Sequence, residues 1–264
     1  TLVRLAKDGV LMQVGDEFCL QTREGSDWDR EFRNRQTRLG ADPSTVQHAR
    51  ERILYAELDR VVKSLKIQQG YFRQSRTLVL HHDDTPPSNH PDAITIWVRD
   101  EWSGTLKEHV DAARRAGSES PMLFAFIPKL QPEDLRKAVI DAEAADQTLG
   151  VKGSPASPEG IEARRGMESR RLLAQRERDE LVRRAVAAAR VFQGGGTELL
   201  QLEVNERLKA GAEDSCVRLF PQFKHADATS ASWEAVIKRA REGGDTPFQP
   251  VGHAGATELH PVCQ

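Results

Sequence analysis

The sequence predicts a mixed α/β fold of the α+β kind: an N-terminal β-meander, a central mixed sheet with a βαβ unit, and a C-terminal helical extension with one long helix. Three observations predict it. Residues 2–21 alternate apolar and polar around Asp8-Gly9 and Gly15-Asp16, pairs suited to tight hairpin turns. Residues 94–128 read as strand, capped helix, strand. Residues 159–192 keep a helical pattern whose second half contains neither Gly nor Pro.

Taken in order, the meander uses Val3 and Leu5, then Val10, Met12 and Val14, then Phe18 and Leu20 on one face. Such a hairpin is expected to be a surface meander covering the main core, with the wing of a winged-helix module as the alternative. A helix follows from about Asp27 to Leu39, with Trp28 and Phe32 one turn apart, and Gly40 stops it. Asp42-Pro43 starts a second helix, running to about Lys66 on a stripe of Ile53, Leu54, Leu58, Val61, Val62 and Leu65. Thr77 to His82 is a strand. The proline-rich DDTPPSNHPD after it is too short for a helical crossover, so this strand is expected to be antiparallel to 94–98 or unpaired with it.

Ile94, Ile96, Trp97 and Val98 form one buried strand and Met122 to Ile127 another. Between them Thr105 and Glu108 have capping-box spacing, Leu106, Val110 and Ala113 form a stripe, and Gly117 ends the helix. Pro132, Glu133 and Asp134 open the next helix, and GVKGSPASP at 150–158 reads as a linker. In the long helix Met167, Ala174, Leu181, Ala185, Ala188 and Phe192 make a narrow, coiled-coil-like seam, broken by Gly194-Gly195-Gly196. Further helices are expected near 198–210 and 230–242, then an irregular tail after Gly243. The domain boundaries that follow are 1–22 for the meander, 23–150 for the α/β domain, 151–158 for the linker and 159–264 for the helical region.

Composition narrows the function classes. The 264 residues are 38% hydrophobic and 30% charged with a net charge of −2, which describes a soluble, surface-rich protein and disfavours a wholesale polyanion binder, while the three cysteines are expected to be reduced thiols in a cytoplasm. Cys19, Cys216 and Cys263 are odd in number and far apart, which suggests neither a disulfide framework nor a zinc ribbon. No apolar run approaches the roughly 18 residues of a membrane span. The start at Thr1-Leu2-Val3 suggests a piece of a longer protein.

The corner Arg99, Asp100, Glu101, Trp102 follows a strand, where open α/β sheets place ligands, and is the candidate ligand-binding site. An Arg there can hold phosphate or carboxylate, and the acids could bind Mg²⁺ or act as a base. His81-His82-Asp83-Asp84 resembles a metal cluster in composition only, because neighbours in an extended chain face opposite ways. Arg164, Arg165, Arg170 and Arg171 are the candidate nucleic-acid contacts. Between 159 and 184, however, eight arginines meet six acids, a net of +2 that favours pairing along a solvated helix. No catalytic triad signature and no phosphate-binding Gly-x-x-x-x-Gly-Lys-Ser/Thr occurs, and no catalytic or metal-binding residue is assigned.

Four stretches resemble the large P-loop ATPase of bacterial BREX phage-defence systems, the BrxC/PglY family. They are FCLQTREGSDWDREF (18–32), IWVRDEWSGTLKEHVDAARRAGSESPMLFAFIP (96–128), VFQGGGTEL (191–199) and RLFPQFKHADATSASWEAVIKRA (218–240). The resemblance implies a cytoplasmic parent ATPase using ATP and Mg²⁺, acting with other defence proteins such as a DNA methyltransferase. Its Walker residues match no position here. The chain would then be a non-catalytic assembly region without a cofactor of its own, self-associating or binding defence partners. Two further readings stand beside it: a duplex-DNA-binding module using the hairpin and the Arg-rich helix, and a metal-dependent hydrolase or nuclease centred on 99–102.

Overall fold

The computed structural model of the chain describes residues 11–14, 17–20, 22–70, 73–221 and 223, the first two stretches as backbone only. They form eight strands, β1 (Leu11–Val14), β2 (Glu17–Leu20), β3 (Ile67–Gln69), β4 (Gln74–His81), β5 (Ala93–Asp100), β6 (Leu123–Ile127), β7 (Arg190–Gln193) and β8 (Glu198–Leu199). The helices are α1 (Arg23–Gly40), α2 (Pro43–Ser64), α3 (Leu106–Ala116), α4 (Pro132–Lys152), α5 (Pro158–Ala187) and α6 (Val204–Leu219). The fold is mixed α+β, with a six-stranded mixed sheet. Two compact units emerge, one from 1–58 and 129–187, the other from 59–128 and 188–264.

In the first unit, β1 and β2 pair antiparallel, with Val14 opposite Glu17. The remaining strand of the expected meander lies outside the described residues. Thr22 caps α1, its hydroxyl accepting from the Gly25 N–H at 3.0 Å. Trp28, Phe32 and Leu39 are buried, and α1 packs on both α4 and α5. Those two helices lie along one another, burying Leu135, Val139 and Ala142 with Met167, Ala174 and Leu181.

The second unit is built on the sheet order β3-β4-β5-β6-β7-β8. β5, α3 and β6 form the expected βαβ unit, with β5 and β6 parallel and Trp97 opposite Phe124. Thr105 accepts from the Glu108 N–H while Glu108 accepts from the Thr105 N–H, so the capping box is complete. Gly117 ends the helix at φ 80°, a conformation that favours glycine. Trp97, Phe124 and Phe192, neighbours across three strands, pack with Ala112, Ala113 and Met122 beneath α3. Successive side chains of a strand point to opposite faces, so Leu123 faces away from this cluster. It lies against α6, where a Cβ on Gly211 would come within 2.9 Å of it.

Four expectations are corrected. β4 pairs with β5 in parallel, His81 opposite Trp97. The segment between them holds no helix, yet its eleven residues can span about 36 Å extended, ample to return along five paired residues. The mixed character of the sheet comes from the antiparallel pairs β3–β4, β6–β7 and β7–β8. The long helix ends at Ala187, and Arg190–Gln193, rich in β-favouring residues, enters the sheet beside β6. The triple glycine therefore turns the chain from β7 into β8 and does not break a helix, with Gly195 and Gly196 at φ 85° and 84°. Finally, α4 runs on to Lys152, so 153–157 is a short link between two packed helices within one unit, and 159–264 combines helix with strand. The helix expected at 230–242 and the tail after Gly243 lie outside the described residues.

Candidate functional site

The corner after β5 is built around a buried acid. Asp100 is fully buried, and its Oδ1 accepts from the backbone N–H of Trp102 at 2.9 Å and of Ser103 at 3.1 Å. Its carbonyl accepts from the N–H of Ser103 and Gly104. That is the geometry of an Asx turn, in which the side chain closes the bend. Glu101 is exposed and its N–H donates to the Ile127 carbonyl at 3.0 Å, tying the corner to β6. Trp102 is half-buried.

Arg99 differs from these three because it borders a cavity. The 82–92 segment and α3 enclose a pocket of about 410 Å³, lined by Asp84, Trp97, Arg99, Glu108, His109 and Arg115 among others. The Arg99 side chain is only 13% exposed. It donates to Asp84 Oδ1 at 2.6 Å, to the Asp83 carbonyl at 3.4 Å and to the Ser103 carbonyl at 2.9 Å. Trp97 Nε1 also donates to the Asp83 carbonyl, at 2.9 Å, which staples the proline-rich segment to β5. Hydrogen bonds from Thr105, with Arg99 nearby, hold the Glu108 carboxyl below its ordinary pKa.

Sequence reasoning missed His109. It is 2% exposed, stacked on the Trp97 indole at 4.8 Å and flanked by Phe124 and Phe126. Neither ring nitrogen has a hydrogen-bond partner. Burial, with the Arg99 charge adding to it, pushes its pKa down to about 3. A neutral imidazole carries one donor and one acceptor, and here both are unmet. The signal was present, since His109 falls three residues after Leu106 and four before Ala113, on the stripe that faces the sheet.

Three of the four long-helix arginines are committed within the first unit. Arg164 pairs with Glu168 at 2.9 Å and also donates to Gly153 and Ser154. Arg170 pairs with Asp29 at 2.9 Å over the Phe32 ring, and Arg171 with Asp146 at 3.2 Å. Arg165 is exposed. Among the described residues no three His, Cys, Asp or Glu side chains gather to hold a metal ion, and no helix is long and apolar enough to cross a membrane. Cys216 is buried in α6, and that burial raises its thiol pKa.

No protein-family model matches the chain, and no curated protein or solved structure matches it.

Proposed function

We propose that this chain is a non-catalytic assembly region of a bacterial phage-defence ATPase of the BREX type. One observation carries the reading. Two stretches that resemble the family, 96–128 and 191–199, are far apart in sequence yet adjacent in space. They supply β5, α3, β6, β7 and β8, and the glycine turn between the last two donates from Gly195 N–H to the Ala113 carbonyl at 2.8 Å. Segments that serve one architecture would fall together in this way, as one sheet and its covering helix. The acids and bases of the corner support the same reading, because Asp100 closes a turn and Arg99 ties down a loop.

The test combines three measurements on the purified chain. Sedimentation, alone and with the system's DNA methyltransferase, is expected to show self-association or a complex, and an assay with ATP and Mg²⁺ is expected to show no turnover. Turnover abolished by Arg99→Ala would overturn the reading. A titration with duplex DNA at two salt concentrations is expected to show little binding. A steep salt dependence would instead move the assignment to a nucleic-acid contact.

A further inference from the structure

We propose that the pocket between α3 and the 82–92 segment binds a small organic acid, a carboxylate or phosphate monoester carried on an apolar body. The inference is independent of the family reading, because it uses only the side chains that meet in the second unit.

Charge is the first argument. Four charged side chains line the pocket, namely Asp84, Arg99, Glu108 and Arg115. Asp84 is bonded to Arg99, and Glu108 is held ionised beside the same guanidinium. Arg115 is exposed and makes no ion pair among the described residues, so it is the cation left without a counter-charge. The Asp84 side chain is 94% exposed, and a pair with so exposed an acid contributes little, because water screens it. An incoming oxyanion can take Asp84's place on the planar guanidinium with better geometry.

Shape and polarity supply the second argument. A depression of about 330 Å³ adjoins the pocket, sharing Pro86, Ala112 and Arg115 and adding Pro87, Met122 and Phe124. Arg115 thus stands between a charged end and an apolar end, an arrangement that fits a molecule with one acidic group and a hydrophobic remainder. The volumes lie in the range typical of small-molecule sites. The third argument is His109, which lines the pocket with neither nitrogen partnered. An unmet buried donor or acceptor is costly, and a ligand oxygen, directly or through one bridging water, would relieve it.

The test is calorimetric titration of the whole chain with phenyl phosphate, benzoate, inorganic phosphate and benzyl alcohol, alongside ¹H–¹⁵N spectra of the imidazoles. One or both organic acids should bind saturably, and the stronger of them identifies the acidic group. Inorganic phosphate and benzyl alcohol, each lacking half of the recognised structure, should bind about tenfold more weakly or not at all. The His109 ring resonances should shift with the same saturation curve. Arg115→Ala should weaken binding by about tenfold, while Arg114→Ala, which removes a neighbouring guanidinium paired with Asp111 outside the lining, should leave it unchanged. Absence of saturation by both acids, equal binding of inorganic phosphate, or indifference to Arg115→Ala would each overturn the proposal.

Discussion

His109 shows how one side chain couples the interior of the sheet to pH. Its pKa, about 3 in the folded chain, is below the ordinary imidazole value of 6.5, so between those limits the unfolded chain binds the proton more readily. Stability is therefore full above about pH 6.5 and falls as pH drops toward 3, by an amount on the order of a few kcal/mol. Denaturant unfolding followed between pH 7 and pH 4 should reveal this slope, and His109→Leu should flatten it. The same scale explains what could be read from the residues alone. Arg99 was legible because strand ends in parallel sheets gather polar groups, and it alone of its four-residue corner reaches the pocket. Asp100, Glu101 and Trp102 were not separable from it by sequence, since only the turn geometry decides which side chain folds back. Gly194 is a further residue-scale case, because a Cβ there would lie 2.5 Å from the Gly117 carbonyl. Gly194→Ala should destabilise the second unit by about 1–3 kcal/mol in denaturant titrations, since backbone cannot yield as a side chain does.

At the scale of elements, local chemistry made some segments legible and left others hidden. α3 could be read almost residue by residue because its cap, stripe and terminating glycine all lie within a dozen positions. Thr105→Ala removes the hydroxyl end of the capping box and should lower the denaturation midpoint by the equivalent of about 1 kcal/mol. The direction of β4 was hidden, because pairing sense is decided by the path of the connection, and a proline-rich chain can cross without a helix. β7 was hidden for a related reason. Val191 and Phe192 continue the spacing of the preceding helical seam, and only the open edge of β6 draws them into a strand. β8 follows as a two-residue antiparallel neighbour, joined by Arg190, whose guanidinium makes a two-bonded pair with Glu198. The pair raises the arginine pKa and lowers that of the acid.

At the scale of the whole molecule, the boundary drawn at 150–158 from Gly, Ser and Pro content was a connection inside one unit. Composition marks where a chain bends, and it cannot say whether the flanking segments separate or pack. A chain ended at Leu149 would lose α5 from the first unit and β7, β8 and α6 from the second. Such a truncation should show no cooperative thermal transition by circular dichroism, whereas two autonomous domains divided at that point would leave a cooperative fragment. The interleaved path also sets an order of events on the ribosome. β6 is complete at Ile127, but its neighbour β7 begins only at Arg190, after both long helices of the other unit have been made. At about 5–20 residues per second, the hydrogen-bonding rim of a wholly apolar LFAFI strand waits for several seconds without its mate. During translation that nascent rim is the place where a holdase would bind, or where two neighbouring growing chains would stick together.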